Sequence, residues 1–370
     1  MRVVVIGSGI VGAGAAYHLT RRGATVTVVD GGFHGEATRA GAGIVCPWVD
    51  HPEDDAWYRL NREGARHYPG LVEELGDDIG YAKVGALLVA EDPAHLEPVR
   101  ALLLRRHPGA PEMGEITDVP TPAGLFPPLS DTLSAIMVPG AARVDGCAVR
   151  DALLRAAVAQ GAQVRTGTAT LTPTAEVILH PEPCPPDQPE RPADDGVRIE
   201  ADKVIVAAGA WTGEVCRPLG VELPVFPRRG QILHATLEGV DTAWWPIILP
   251  RKGPYLLGFP DSRIVIGATV EDVGFAPRVT MGGLAEVIEA GLEVAPGLIN
   301  ATVTETRVGL RPVYAPGHAL IAPLTDRVVV ATGLSAYGLT AGPFTGEIAA
   351  ALALGETPPI DIAPYAPATR

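Results

Sequence analysis

The stretch Arg2-Val3-Val4-Val5-Ile6-Gly7-Ser8-Gly9-Ile10-Val11-Gly12, continued through an alanine-rich segment to Arg22 and closed by Thr25-Val26-Thr27-Val28-Val29-Asp30, decides how the chain is read. A short β-branched run, a glycine turn, a helix ended by Gly23 and a second apolar run make one βαβ unit. Gly7 allows the tight turn off the strand, Gly9 lets backbone N–H groups approach a pyrophosphate, and Gly12 lets helix and strand pack closely. A pyrophosphate would sit at the helix N-terminus, where free N–H groups and the helix dipole favour negative charge. Asp30 ends the second strand where a carboxylate can accept hydrogen bonds from a ribose hydroxyl. Between two strands and with an acid at this offset, the glycine pattern predicts an adenine dinucleotide. On these residues alone FAD and NAD(P) remain open.

Composition sets the bounds. The 370 residues suffice for one large or two medium domains, and 47% apolar content predicts a globular protein. The net charge of −14 argues against a nucleic-acid or anionic-membrane surface, since both need a basic patch. Cys46, Cys147, Cys184 and Cys216 are widely spaced with no C-x-x-C pair, which argues against a simple zinc or dithiol centre and suits a reducing cytoplasm. Arg2 before an apolar run can be mistaken for a leader; a central parallel strand buried on both faces explains the run better. No segment approaches transmembrane length, so a cytoplasmic protein without an integral membrane segment is expected.

Beyond Asp30, the small residues of Ala37-Thr38-Arg39-Ala40-Gly41-Ala42-Gly43 imply backbone lying flat against something large, the plain alternative being a flexible loop. Asp50 to Leu75 reads as helical, Tyr81 to Glu91 as a strand pair, and Pro93 to Arg106 as a helix before a proline-rich connection from Pro108 to Pro128. Asp145 is placed to cap a helix ended by Gly161. Thr172 to Gly196 holds seven prolines and reads as a surface hairpin extension. Lys203 to Thr212 reads as a buried strand breaking into a turn at Gly209. Alternating short strands at Gln231 to Ala235, Tyr255 to Gly258 and Arg263 to Ala268 predict a mostly antiparallel second sheet. A helix over Leu284 to Val294, strands over Ala301 to Leu310 and Arg327 to Ala331, and a glycine-led helix to about Leu354 complete the reading.

Several of these motifs together resemble one family. Val5 to Gly12 with Asp30, Ala37 to Gly43, Val204 to Trp211, Gly267-Ala268-Thr269 with Glu271-Asp272, Gly309-Leu310-Arg311-Pro312 and Gly333 to Pro343 are similar to the D-amino acid oxidase and glycine oxidase superfamily of FAD enzymes. The resemblance implies a mixed α/β fold, a Rossmann-type FAD-binding domain plus a mostly antiparallel substrate domain. Its expected segments are 1–82, 140–222 and 306–370 for FAD, with 83–139 and 223–305 for substrate. It further implies that Gly7, Gly9, Ile10, Val11 and Gly12 hold the pyrophosphate and Asp30 the ribose, where the family more often has glutamate. Thr38, Arg39, Gly43 and Ile44 would wrap the cofactor, Thr170 its adenine side, and Ala208 and Gly209 would pass close by. Gly338, Leu339 and Thr340 open a helix whose N–H groups can stabilise charge on a reduced flavin; a turn before a packing helix is the plain alternative.

The activity implied is oxidative deamination of a small amino acid, D-configured by resemblance, with Cα hydride passing to flavin N5 and the imine hydrolysing to a 2-oxo acid and ammonia. The rival is oxidation of a secondary amine of the sarcosine or proline kind; an NAD(P) dehydrogenase and a non-catalytic FAD-binding subunit are the readings from other classes. Arg311 is the expected carboxylate anchor, because a guanidinium fork binds a carboxylate bidentately and stays charged. Tyr255 matches a tyrosine that supports the same carboxylate. Where glycine oxidases carry a second arginine, this chain reads Leu334-Ser335-Ala336-Tyr337, so Tyr337 is expected to line the pocket and glycine is a doubtful substrate. No cysteine lies between Arg311 and Leu320, so FAD is expected to be non-covalent. His318 reads as an exposed loop residue, and Trp48 as core or as a second pocket wall. The electron acceptor, dioxygen or a quinone-linked carrier, and a homo-oligomeric state are left open.

Overall fold

In the computed structural model, which describes residues 1–76, 79–181 and 196–367, the opening strand Arg2–Ile6 lies inside a six-stranded sheet. Thr25–Asp30 and Lys203–Val206 flank it in parallel. Gln163–Thr166 and Val328–Thr332 extend the sheet in parallel on either side, and the edge strand Leu320–Pro323 runs antiparallel. Both faces are covered, which is why Val3, Val4, Val5 and Ile6 read as a continuous apolar run: all are buried.

Helix Ile10–Arg21 crosses this sheet and packs backbone to backbone on helix Gly338–Leu354. Side chains at Gly14 or Gly346 would collide with the facing backbone at Pro343 and Ala15. The contact brings the N-terminal ends of both helices to one side of the sheet, the edge where the parallel strands end.

The second sheet has eight strands, in the spatial order Thr302–Tyr314, Val225–Thr236, Arg263–Gly267, Tyr255–Gly258, Ile247–Pro250, Ala86–Ala90, Ser134–Val138 and Thr117–Val119. It is antiparallel except where Ile247–Pro250 meets Ala86–Ala90. Two small sheets complete the fold: Thr168–Leu171, Val177–His180 and Val197–Ile199, and the short strands Ile44–Val45, Ala142–Arg143 and Ala82–Lys83.

The mixed α/β class and the antiparallel second sheet agree with the sequence reading, and several details differ. Ala82–Lys83 and Ala86–Ala90 are not partners: Gly85, at φ +76°, turns the chain from one sheet into another. The strand expected to end at Leu310 runs on to Tyr314, so Arg311 sits inside a strand, and that strand crosses the expected domain boundary at 306 while staying in the eight-stranded sheet. Of the proline-rich extension, Val177–His180 and Val197–Ile199 flank it as strands, whereas 182–195 lie outside the described residues. Among the described residues no helix is long and apolar enough to cross a membrane.

Candidate active site

A cavity of about 560 Å³ runs along the edge of the parallel sheet toward the long strands of the second sheet. Gly7, Gly9, Ile10 and Val11 line it from the first turn, and Asp30 from the end of the second strand. Thr38, Gly43 and Ile44 contribute from the small-residue loop, Thr170 from the neighbouring sheet, and Ala208 and Gly209 from the break after Lys203–Val206. Gly338 and Leu339 close one wall, and Arg311 stands at one part of the lining.

Of the other expected residues, Gly12 does not reach the cavity. A side chain there would overlap the Gly7 carbonyl, so its part is to let helix and turn touch. Arg39 is exposed and does not line the cavity; its carbonyl accepts from Arg307 Nη1 at 3.1 Å. Thr340 also stands back from it, donating to the Ile44 carbonyl at 3.0 Å and tying the last helix to the loop.

Polar groups at the turn are already organised. The Asp30 carboxylate accepts from the Ser8 N–H at 2.6 Å and from the Gly32 N–H at 2.7 Å, which fixes it at the cavity wall. The Thr38 hydroxyl accepts from the Ile10 N–H at 3.0 Å. Neither N-cap residue, Gly9 or Tyr337, caps its helix with a side chain, and at the first helix, among the described residues, only the Ile10 N–H is taken, by Thr38. The two helix N-termini on one cavity favour negative charge at two separate places.

Arg311 and Tyr255 come from strands separated by two others, yet their side chains meet. The guanidinium of Arg311 reaches over Gly230, where a Cβ would overlap it, and Gly267 leaves room for the Tyr255 hydroxyl. Arg311 Nη1 donates to the carbonyls of Thr269 at 3.0 Å and Arg229 at 3.2 Å. Burial lowers the Arg311 pKa, while Tyr255 opposes that shift. Burial likewise pushes the Tyr255 phenol up to about 12, against the pull of Arg311. The pair therefore presents a cation and a neutral hydroxyl, a combination suited to a carboxylate.

Beneath it lies a second layer. Arg229, 4% exposed, ion-pairs with Glu271 and donates to the Ala276 carbonyl at 3.0 Å. Glu271 also accepts from Gln231 Nε2 at 2.8 Å and from the Thr269 hydroxyl at 2.7 Å. The Arg229 pair, then burial opposing it, then Gln231 and Thr269, leave the Glu271 carboxyl at about 2. The network fixes the two carbonyls from which Arg311 hangs. Gly230 and Arg229 escaped the sequence reading, although Arg228-Arg229-Gly230 inside a strand is an unusual run that could have drawn attention.

Two expectations change, for Tyr337 and His318, and of the two readings for Trp48 the core one holds. Tyr337 is not among the residues lining the cavity: its ring packs edge-on against Trp57 at 4.6 Å and its hydroxyl donates to Asp50 at 3.0 Å. The turn Ser335–Tyr337 directs it toward the start of helix Asp55–Leu75. His318 is only partly exposed, with Nδ1 2.7 Å from the carboxylate of Asp54, the cap of that helix. Trp48 is core, 2% exposed among the apolar residues that also contact Tyr255.

The family model described as FAD dependent oxidoreductase (DAO) matches residues 2–352. An uncharacterized oxidoreductase of Bacillus subtilis, YurR, is 40% identical over 99% of this chain and 98% of its own length. A glycine oxidase of Pseudomonas aeruginosa is 31% identical, covering 100% of this chain and 99% of the relative. Among solved structures, iminodiacetate oxidase (IdaA) from Chelativorans sp. BNC1 superposes with a TM-score of 0.93 at 43% identity, covering 99% of each chain.

Proposed function

The chain belongs to the FAD-dependent oxidoreductase family, and from that premise we propose that it oxidises the C–N bond of a small amino acid held by its carboxylate on Arg311 and Tyr255. Bound FAD supplies the two-electron acceptor for this oxidation. The lining fits such a dinucleotide: bare glycine backbone at Gly7, Gly9 and Gly43, a fixed carboxylate at Asp30, and two helix starts whose N-cap residues leave backbone N–H groups for a ligand. Gly7, Gly9, Thr38 and Gly43 would hold the diphosphate portion, Asp30 and Thr170 the adenosine portion, and Gly338 and Leu339 the flavin portion. No cysteine lines the cavity among the described residues, which supports dissociable rather than covalent attachment.

The observation that carries the reading is Arg311 in the lining of this cavity; Tyr255, which touches Arg311, is not itself a lining residue. The residues' part is binding and orientation. Arg311 fixes the carboxylate, Tyr255 remains a neutral donor, and the Arg229–Glu271 layer holds Arg311 in place. Substrate loses two electrons and two protons across its C–N bond, the Cα hydrogen leaving with the electron pair for the acceptor and the nitrogen proton going to solvent, and water hydrolyses the imine to a 2-oxo acid and a released amine.

We favour an N-substituted glycine, a secondary amine, as substrate, because 43% identity over nearly the whole chain links it to an iminodiacetate oxidase. The 31% identity to a glycine oxidase supports the second reading, a primary amino acid such as a small D-amino acid. Product analysis separates them: glyoxylate with an alkylamine or amino acid for the first, a 2-oxo acid with ammonia for the second. Readmitting air to the reduced enzyme tests whether dioxygen or a quinone-linked carrier is the acceptor. Widely spaced cysteines support a cytoplasmic setting.

A further inference from the structure

Three helices bring ligating side chains together away from the cavity. His18 comes from Ile10–Arg21, His67 from Asp55–Leu75 and Glu347 from Gly338–Leu354. One candidate ligand atom of each lies within 4.8 Å of the others. His18 is 8% exposed, and neither its Nε2 nor that of His67 has a hydrogen-bond partner. Buried ring nitrogens are normally satisfied, so His18 Nε2 calls for a partner, and His67 can share that partner with Glu347 through Nδ1, the nitrogen that faces the carboxylate.

The ring arrangement suits one ion. Two imidazoles on a tetrahedral ion at ~2.0–2.1 Å place their ring centres about 5.2 Å apart; those of His18 and His67 are 5.4 Å apart, tilted by 45°. The carboxylate is poised beside them, with Glu347 Oε2 3.6 Å from His67 Nδ1. Its other oxygen, Oε1, accepts from Arg22 at 3.0 Å, and Arg22 also faces Glu356 at 3.3 Å. That second carboxylate balances the guanidinium and leaves Oε2 turned to the histidines.

We propose that His18, His67 and Glu347 form a binding site for a divalent transition-metal ion of the zinc class, which staples the first helix to the other two. Two imidazoles and one carboxylate form a borderline donor set that suits zinc, cobalt or nickel better than calcium or magnesium. His18 is buried between the helices, with its Nε2 without a protein partner and so open to an ion. The side chains of His67 and Glu347 are 18% and 22% exposed, which gives the ion a way in. None of the three residues lines the cavity, so the metal's part is structural.

The test uses the FAD-loaded protein, stripped with EDTA, dialysed and titrated with zinc chloride while bound metal and Tm are followed. His67→Gln and Glu347→Gln, both at partly exposed positions, serve as controls. The wild type should take up about one zinc per chain and melt higher when loaded. Each variant should bind zinc more weakly by more than the roughly 10–100-fold that loss of an outer-shell partner costs, with an unchanged flavin spectrum. A wild type that takes up no zinc overturns the proposal, as does uptake by both variants equal to the wild type. Should a variant fail to fold, wild-type stoichiometry and the zinc-dependent Tm decide the matter.

Discussion

Arg311 donates from Nη1 to the backbone carbonyl of Thr269 at 3.0 Å, and the hydroxyl of that same threonine donates to Glu271 at 2.7 Å. One residue thus joins the cation expected to meet substrate to the acid that pairs with Arg229 beneath it. A guanidinium held by two carbonyls through one nitrogen keeps its other donors for a ligand. Its aim is set by the sheet backbone as much as by its own rotamer.

Arg311→Ala removes the proposed carboxylate partner and leaves the lining at Gly7, Gly9 and Asp30 intact. We expect kcat/KM for amino acid substrates to fall by roughly 100-fold or more, about 3 kcal/mol, chiefly through KM. The purified variant should remain yellow with a wild-type flavin content. Steady-state kinetics beside an absorbance spectrum measures both.

Gly230→Ala would place a methyl group where the Arg311 guanidinium now lies. The expected result is a raised KM with FAD retained, milder than that of Arg311→Ala because the guanidinium is displaced and not lost. Equal kinetics for this variant and the wild type would mean that Arg311 does not cross Gly230 on its way to substrate.

Tyr255→Phe deletes a hydrogen-bond donor without leaving a charge unpaired. A loss of about 10-fold in kcat/KM fits a bond to a carboxylate. Since the phenol is pushed up to about 12 by burial, it stays neutral through the ordinary working range. The wild-type pH profile should accordingly show no limb that disappears in Tyr255→Phe below that pH.

Glu271 has its folded-state pKa lowered from 4.5 to about 2, chiefly by Arg229. A carboxyl lowered on folding stabilises the native state above its unfolded value and loses that contribution as pH falls toward the folded one. Wild-type Tm should therefore decline between pH 4.5 and about 2, and the Glu271→Gln variant should show a flatter decline from a lower start. That lower start reflects a buried Arg229 left without its carboxylate, a loss of about 3–5 kcal/mol when a buried pair is broken. Thermal melts across this pH range test the assignment.

The parts of the molecule legible in the sequence are those whose cause is local. Val3 to Ile6 must be a buried strand because four apolar residues precede a glycine turn, and Asp145 must cap a helix because its side chain reaches the next turn, as it does to Cys147 and Ala148. What escaped depends on distant chain. Ile247–Pro250 is a strand because it pairs in parallel with Ala86–Ala90, more than a hundred residues away, a partnership invisible in its own short run. Its place before the last helix points Tyr337 to the pocket, whereas its direction is decided by Asp50 and Trp57. The meeting of Arg311 and Tyr255 across intervening strands is equally non-local; only the family pattern pointed to both residues. The role of Gly230 and Gly267 as the gaps that let them meet emerges from the three-dimensional arrangement alone.

The most direct test of the account is anaerobic mixing of FAD-loaded wild type and Arg311→Ala with iminodiacetate, sarcosine, glycine and D-alanine while the visible flavin band is followed. The account predicts that a secondary amino acid bleaches the wild type fastest, and that the variant, still yellow, bleaches far more slowly at the same concentration. Equal bleaching of wild type and variant would contradict the assignment of Arg311. A wild type bleached by D-alanine and not by either secondary amine would contradict the preferred substrate class.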